Sequence, residues 1–408
     1  MSPQNVLRKL NSTKFLMKRL YLDSHTTTPL AEKALQKMLP FLSERWGSPA
    51  APHAWGQDVS GELDKALQSL YRLFGAKEDD TILVTSSGAE AVNHVVNAVY
   101  FDVAREEGKN HFITSSLDEA PVIMSMKRLE SLGCSLAMVE PNKKGIISAE
   151  AIEKAITPRT ALVSLSWVNA LTGVINPIDE IGALCRKKGI LFHVEATHAL
   201  GRLFFKLPDL KVDFMSFNGD HLHGPKGTGA LYIRQGLKLT PLIVGGGEQG
   251  GQRGGSFNVA GMIGLAAAAD ELVDNIDWMC TEVARLRSKF EKGLCENIPE
   301  AVVFFHDVER VTSCTAIAFP GVSNEALLHA LSSQGVFASF GGGQFQQIAL
   351  ILGSCAVPAA LGQTALCFSF SRLITEEEID DAVEKISATV KRLQKLSVAF
   401  QPFINGAK

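Results

Sequence analysis

Residues able to do chemistry are confined to a few places along this 408-residue chain. One segment, residues 215–227, sets Asn218, Asp220, His221 and His223 ahead of a Gly224-Pro225-Lys226-Gly227 turn. Carboxylates and imidazoles are ligand types for zinc and hard metals. The seven cysteines, Cys134, Cys185, Cys280, Cys295, Cys314, Cys355 and Cys367, are the candidate nucleophiles. They are scattered, odd in number and without a CxxC pair, which points to buried thiols in a reducing compartment rather than a disulfide framework or zinc site. Cys355 sits in an apolar setting, Ile351-Leu352-Gly353-Ser354-Cys355-Ala356-Val357, and reads as structural. The glycine-rich tract 245–256 has neither Walker nor Rossmann spacing. A flexible loop or a close backbone approach suits it better than an anion cradle.

The elements that must position these residues alternate. Residues 160–168 read as a buried strand. Pro177 opens a helix with Ile178, Ile181 and Leu184 on one face, which Arg186, Lys187, Lys188 and then Gly189 close. Strands at 190–194 and 212–217 follow, and Glu195 and Asn218 fall just past their ends. Such a rhythm predicts an α/β fold with an open, mostly parallel sheet, in which ligands bind beyond the carboxyl ends of the strands. After about residue 275 the pattern changes. Thr375-x-x-Glu378 is a capping box, and Ile379, Val383, Ile386, Val390 and Leu393 form one apolar face of the helix behind it. This part reads as a smaller α+β unit completed by the N-terminal strand. The divisions are 35–275 for the large domain, 20–34 plus 276–408 for the small one, and 1–19 for an N-terminal extension.

Hydrophobic residues make up 46% and charged residues 20%, with a net charge of −3, so nothing in the whole-chain balance suggests a nucleic-acid or membrane surface. No apolar run approaches the ~20 residues of a membrane span. The first twenty residues carry Arg8, Lys9, Lys14, Lys18 and Arg19 and no acid. A poorly ordered extension suits them better than a transit peptide or a membrane-surface helix, and Met17 is an alternative start. The expected location is cytoplasmic.

Several motifs in order bring a family into view. They are Tyr21-Leu22-Asp23-Ser24-His25-Thr26-Thr27-Thr28-Pro29, Gly47-Ser48-Pro49 with His53 and Gly56, Ser86-Ser87-Gly88-Ala89, Val168-Asn169 with Gly173-Val174, and Val194-Glu195-Ala196-Thr197. Residues 215–227, the tract 245–256, Phe368-Ser369-Phe370-Ser371-Arg372 and residues 375–380 complete the series. From Tyr21 to about Arg392 the chain resembles the cysteine desulfurases of the class V aminotransferase superfamily. The resemblance implies a fold type I pyridoxal-phosphate (PLP) transferase architecture, with a seven-stranded sheet and a smaller domain. It also implies a PLP cofactor and a homodimer.

By the same resemblance, the expected chemistry is dismantled position by position. His221 stands where the family has its imine-forming lysine, Gln344 where it has the persulfide cysteine, and Cys367 where an arginine clamps the substrate carboxylate. An imidazole forms no imine and a carboxamide carries no sulfur, so covalent PLP binding is not expected. The pocket that held the cofactor maps to Gly88, Ala89, Glu90, Glu119, Asn169, Glu195, His198, Asn218, Asp220, His221 and Ser256. Glu90 takes the place of a threonine, Asn218 of a serine and Asp220 of a histidine around the phosphate. Two like charges ~4 Å apart repel by roughly 4 kcal/mol at an effective dielectric near 20. Glu119 replaces the histidine stacked on the ring, Glu195 an aspartate that pairs the ring nitrogen, and His198 a glutamine. Asn169 is retained, and Ser256 keeps a hydroxyl where the family has a threonine. Lys226 belongs to the Gly-Pro-Lys-Gly turn and would need a five-residue shift of the loop to replace the missing lysine.

The leading expectation is a non-catalytic homologue kept as a scaffold or regulator linked to sulfur or iron–sulfur metabolism. It would be a homodimer, or a partner of an active desulfurase or an iron–sulfur assembly protein, with no nucleic acid or membrane. The alternatives are an active desulfurase or PLP-dependent lyase with atypical residues, and a pocket of Glu90, Glu119, Glu195, His198, Asp220, His221 and His223 repurposed for a metal or other ligand. No metal site is assigned.

Overall fold

The computed structural model describes residues 19–342 and 346–405. After β1 (Leu20–Tyr21), seven strands build the main sheet: β2 (Thr81–Thr85), β3 (His111–Ser115), β4 (Ser135–Val139), β5 (Thr160–Ser166), β6 (Leu191–Glu195), β7 (Phe214–Asn218) and β8 (Gly229–Ile233). Their order is β2-β8-β7-β6-β5-β3-β4. β8 runs antiparallel to both neighbours and every other pairing is parallel. Strands β3, β5 and β8 are buried at every position, as a sheet covered on both faces requires. Alternation sends Ile113, Val163 and Phe192 to one face, against Ile178 and Ile181 of the helix Ile178–Lys188. It sends Phe112, Leu162 and Phe214 to the other, against Val92, Val95 and Val96 of the helix Gly88–Val99. Gly189 closes the first of these helices in the left-handed conformation, at φ 66°.

The two strand ends that matter most run one residue further than the sequence reading placed them. Glu195 is the last residue of β6 and Asn218 the last of β7. Ladder bonding persists there: Glu195 pairs with Ser166 and Ser216, and Asn218 with Gly229. Both side chains therefore start from rigid backbone.

The C-terminal part packs around a second apolar core. β9 (Val302–Val303), β10 (Cys314–Ala318) and β14 (Ala365–Ser369) form an antiparallel sheet in the order β14-β10-β9. β11 (Val336–Phe337) pairs in parallel with β1, and β12 (Gly341–Gly342) antiparallel with β13 (Gln346–Gln347). Leu20 and Leu22 sit in this core with Phe290, Ile317, Phe368, Ile379 and Ile386. The helix Glu376–Asn405 begins with a reciprocal cap, Glu378 N–H to Thr375 Oγ1 at 3.2 Å and Thr375 N–H to Glu378 Oε2 at 3.0 Å. Its apolar stripe is the one read from the sequence: Ile379, Ile386 and Val390 are fully buried, and Val383 and Leu393 pack beside them.

Candidate functional site

A cavity of about 190 Å³ lies beyond the carboxyl ends of the parallel strands. Four wall residues come from the turns after strands of the main sheet. Glu119 caps the helix Ala120–Glu130 after β3. Asn169 follows β5 and His198 follows β6. His221 sits in the single-turn helix Gly219–Leu222 after β7. His25 and Thr26 of the N-terminal segment and Gly342, Gln346 and Ile351 of the C-terminal part complete the lining. The sequence-derived residues Glu119, Asn169, His198 and His221 thus do converge.

The imidazoles are held close together. The His198 and His221 rings meet edge to face, with centroids 5.2 Å apart. His25 Nδ1 is 2.8 Å from Ser369 Oγ, while its Nε2 has no hydrogen-bond partner among the described residues and is 3.5 Å from Asp23 Oδ1. Burial, then the neighbouring His221 and Arg202, lowers the His25 pKa to about 3. The same causes, with His25 added, hold His198 well below the ordinary histidine range. Asn169 folds onto its own turn: its side-chain oxygen accepts from the N–H groups of Leu171 and Thr172 and from Thr172 Oγ1. That absorbs the amide in building the loop.

Three acids gather behind this wall. Asp118 is saturated by Thr114 Oγ1 at 2.6 Å and by the N–H groups of Ser115 at 2.7 Å and Ser166 at 2.6 Å. Glu195 Oε1 accepts from the Thr197 N–H at 3.0 Å and from the Thr197 hydroxyl, while Oε2 is buried without a partner among the described residues. Burial, followed by the charges of Glu195 and Asp118, raises the Glu119 carboxyl to about 8. Burial also pushes Glu195 up, against the Thr197 hydrogen bonds.

Around Gly88 the picture differs from the expected clash of carboxylates. Glu90 is clamped by Arg253, with Nε to Oε1 at 2.8 Å and Nη2 to Oε2 at 3.1 Å, and accepts the Ser86 N–H at 2.8 Å. Although burial acts to raise it, those bonds bring its pKa below the ordinary value. Asp220 accepts from Thr27 Oγ1 at 2.8 Å, Asn218 Nδ2 at 2.5 Å and Lys226 Nζ at 3.3 Å, and lies 3.4 Å from His221 Nδ1. Burial works against its ionisation, but His221, Thr27 and Lys226 carry it well below the usual carboxylate range. The repulsion expected between the two acids is thus answered by separate partners. Asn218 Oδ1 takes the Gly88 N–H at 3.0 Å, so the first amide of the helix Gly88–Val99 is satisfied within the chain. Ser87 caps the same helix by accepting the Glu90 N–H. Ala89 contributes a backbone carbonyl, which accepts from Asn93 Nδ2.

The glycine tract is pinned rather than free. The Gln249 amide makes two bonds to the Val84 backbone, at 2.7 and 2.8 Å. Gly245 and Gly254 cross so closely that a Cβ on Gly254 would stand 2.6 Å from the Gly245 Cα. Close backbone approach is therefore the better of the two expectations. Ser256 is exposed and lines a separate cavity of about 130 Å³ with Ser86 and Arg253.

His223 and Glu90 do not join the ring-end cavity: the His223 ring bonds Pro29 O at 2.9 Å and Glu90 faces Arg253. Among the described residues no group of three or more His, Cys, Asp or Glu could hold a metal ion, which removes the support for a metal in the acid and imidazole set. Cys367 is fully buried opposite Ala316, and burial pushes its thiol well above the usual range. Cys355 is buried too, with its thiol at about 11, as a structural role demands. Gln344 lies outside the described residues, as do residues 1–18.

Sequence reasoning passed over His25, Asp118, Thr197, Arg202 and Arg253 as site members. Asp118 carried a usable signal, since it follows β3 as closely as the flagged residues follow their strands. Arg202 gave none: it is buried, and donates to Thr197 O at 3.1 Å and His221 O at 3.0 Å, holding the two loops together.

With this geometry in place the family is clear. The aminotransferase class-V model matches residues 20–381, and the chain belongs to that family. It is 34% identical over 396 residues to a cysteine desulfurase of Gluconacetobacter diazotrophicus, covering 96% of this chain and 97% of the relative. To the cysteine desulfurase NifS of Azotobacter vinelandii it is 33% identical, covering 93% and 95%. A solved NifS-like protein superposes with a TM-score of 0.84 at 29% identity, over 92% of this chain and all of the other. The seven-stranded, mostly parallel sheet is the architecture of that group. PLP is the cofactor expected of the family.

Proposed function

We propose that this protein keeps the cysteine desulfurase fold without its covalent chemistry and acts as a non-catalytic scaffold or regulator in sulfur or iron–sulfur metabolism. One observation carries the reading. The loop position of the imine-forming lysine holds His221, packed among Asn218, Asp220 and His198. The lysine that follows, Lys226, has a side chain 71% exposed and bonds Thr27 and Asp220 instead of lining the cavity.

The residues present do not fit PLP. An imine needs an amine, and the described lining of the cavity has none. A bound phosphate would have to displace Asn218 from the Gly88 amide, close to the Asp220 carboxylate. Cys367, at the position of the substrate-binding arginine, presents no cation to a carboxylate.

Incubation with excess PLP, desalting, an absorbance spectrum and borohydride reduction with mass spectrometry test this. The expected result is no retained chromophore and no pyridoxyl-lysine. Such an adduct on any residue would sink the proposal. Changing His221 to Lys is expected to leave cysteine desulfuration unmeasurable, because Asn218, Asp220, Gln344 and Cys367 remain. Sulfide release by that single variant would mean the site is more intact than proposed.

The assembly we propose is a dimer, either of this chain or with an active desulfurase or iron–sulfur assembly protein. Exposed apolar side chains such as Leu42, Trp46, Trp55 and Val244 favour a protein partner. Sedimentation of the purified chain distinguishes a homodimer from a monomer awaiting a different partner.

A further inference from the structure

We propose that a basic cavity at the opposite end of the main sheet binds a small phosphate monoester, held by Lys77, Arg186, Lys211 and Arg234. The proposal is independent of what the candidate site holds.

The fold brings these four cations together from distant parts of the chain. Lys77 precedes β2, Arg186 lies in the last turn of the helix Ile178–Lys188, Lys211 precedes β7 and Arg234 follows β8. Because β8 runs antiparallel to β2 and β7, its carboxyl end meets their amino ends. There the four side chains line a cavity of about 250 Å³.

Positive charge is left over in this cavity. Two guanidinium groups converge on one buried carboxylate. Asp213 Oδ1 is 2.8 Å from Arg234 Nε and 3.5 Å from Arg186 Nη2, while Oδ2 accepts the Phe192 N–H at 2.9 Å. Asp80, the acid in the lining, is occupied by neutral donors: the N–H groups of Lys77 at 2.9 Å and Gln235 at 2.8 Å, and the Tyr232 hydroxyl at 3.2 Å. The Lys77 and Lys211 ammonium groups have no partner among the described residues, and Arg234 Nη2 donates to none of them. Four cations thus face two carboxylates, a surplus of two positive charges. Glu78, Asp79 and Asp209 belong to the adjoining loops, as do Lys187 and Lys206, and none of them lines the cavity.

A cleft lined by one sign of charge concentrates the opposite ion. The donors narrow its kind. A phosphate monoester carries about two negative charges at pH 7 and three terminal acceptor oxygens, which match both the surplus and the spread of donors. A carboxylate offers a single charge and two oxygens in one plane. Guanidinium groups grip phosphate through paired N–H bonds, and Arg186 uses only its Nη2 within the chain. Leu207, Pro208 and Val212 add an apolar wall on which the ester's organic group can rest. The volume is below the ~300 Å³ at which sites for drug-sized molecules begin, so that group must be compact.

Isothermal titration of the full chain with phenyl phosphate at pH 7 tests the proposal, with inorganic phosphate and the diester methyl phenyl phosphate as comparisons. Phenyl phosphate should bind more tightly than inorganic phosphate, which has nothing to set against the apolar wall. It should also bind roughly 10-fold more tightly than the singly charged diester, and added salt should weaken it. Arg186→Gln should weaken binding by roughly 10-fold, the worth of one charge-assisted hydrogen bond. Lys77→Gln and Lys211→Gln should each weaken it by roughly 3-fold, as exposed ion pairs do. All three variants should fold, because Asp213 keeps Arg234 and neither lysine has a partner to lose, and circular dichroism checks this. Absence of binding at millimolar phenyl phosphate, or equal binding of the diester, would overturn the proposal. Undiminished binding in all three folded variants would place the anion elsewhere and overturn it too. Tighter binding of inorganic phosphate than of phenyl phosphate would overturn the assignment to an ester.

Discussion

The two ends of the candidate site are built differently. Around Gly88, each charge has an intramolecular partner: Glu90 has Arg253, and Asp220 has Thr27, Asn218 and Lys226. Around His198, among the described residues, the Glu119 carboxyl has no counter-ion and one oxygen of Glu195 is buried without a partner. The paired end behaves as structure, since breaking a buried pair strands a charge. The unpaired end costs stability and so is the place where a ligand would be felt. Substitutions of the same chemical size should thus have opposite consequences at the two ends.

The largest effect is expected from Arg253→Ala. It leaves Glu90 half-buried with the Ser86 N–H but no counter-ion, and urea denaturation should show a loss of about 2 kcal/mol, the worth of charge-assisted hydrogen bonds. Adding Glu90→Ala should recover part of that loss, because the stranded carboxylate goes with it. A simple sum of the two losses would show that the pair is not coupled and would weaken the contrast. Next comes Asn218→Ala, which frees the Gly88 amide and one oxygen of Asp220. About 1–2 kcal/mol should be lost, and a neutral result would mean water replaces the side chain readily.

At the unpaired end, Glu119→Gln should stabilise the protein at pH 7 and above and change nothing below about pH 4.5. With its folded pKa near 8 and an unperturbed value of 4.5, Glu119 favours the native state fully below about pH 4.5. That contribution is lost as pH rises toward 8, because the native chain holds the proton more tightly than the unfolded one. The variant should therefore remove a fall in the melting temperature between about pH 4.5 and 8 and leave the profile below pH 4.5 unchanged. A slope of the opposite sign, on the acid side, belongs to histidines. His25 and His193 are held near 3 and His223 near 4 by burial. On unfolding each returns to about 6.5, so the unfolded chain takes up protons as pH falls below that value, and stability drops between about 6.5 and 4. An acid limb without that slope would mean these rings are already charged in the native state.

How much of this was legible in the sequence depended on range. Local signals read well. The Thr375–Glu378 cap, the glycine stop after Lys188 and the apolar stripe of the last helix depend on neighbours a few residues apart. The convergence of Glu119, Asn169, His198 and His221 was implied by the resemblance to the desulfurases, and the strand-end rule, read from the sequence for Glu195 and Asn218 alone, gives its physical reason: parallel strands deliver their C-terminal residues to one edge. Partnerships were not legible. Glu90 finds its counter-ion 163 residues away, in a tract whose glycines drew attention from its one arginine. Burial decides the state of His25 and His198, and the sequence carries no measure of it at a single position. The overestimated repulsion between Glu90 and Asp220 has the same origin: residue types were known and neighbours were not.

The clasp of Gln249 on Val84 has a consequence for the behaviour of the protein in solution. β2 is an outer strand of the main sheet, and toward the C-terminal end of its free edge Val84 offers a backbone donor and acceptor that one carboxamide occupies. An unguarded edge is a template on which another chain can add a strand, and from there sheets grow into aggregates. One glutamine, carried on a loop held by glycines, thus acts as a terminator of polymerisation. Its removal should show first as cloudiness in a concentrated sample rather than as a lower melting temperature.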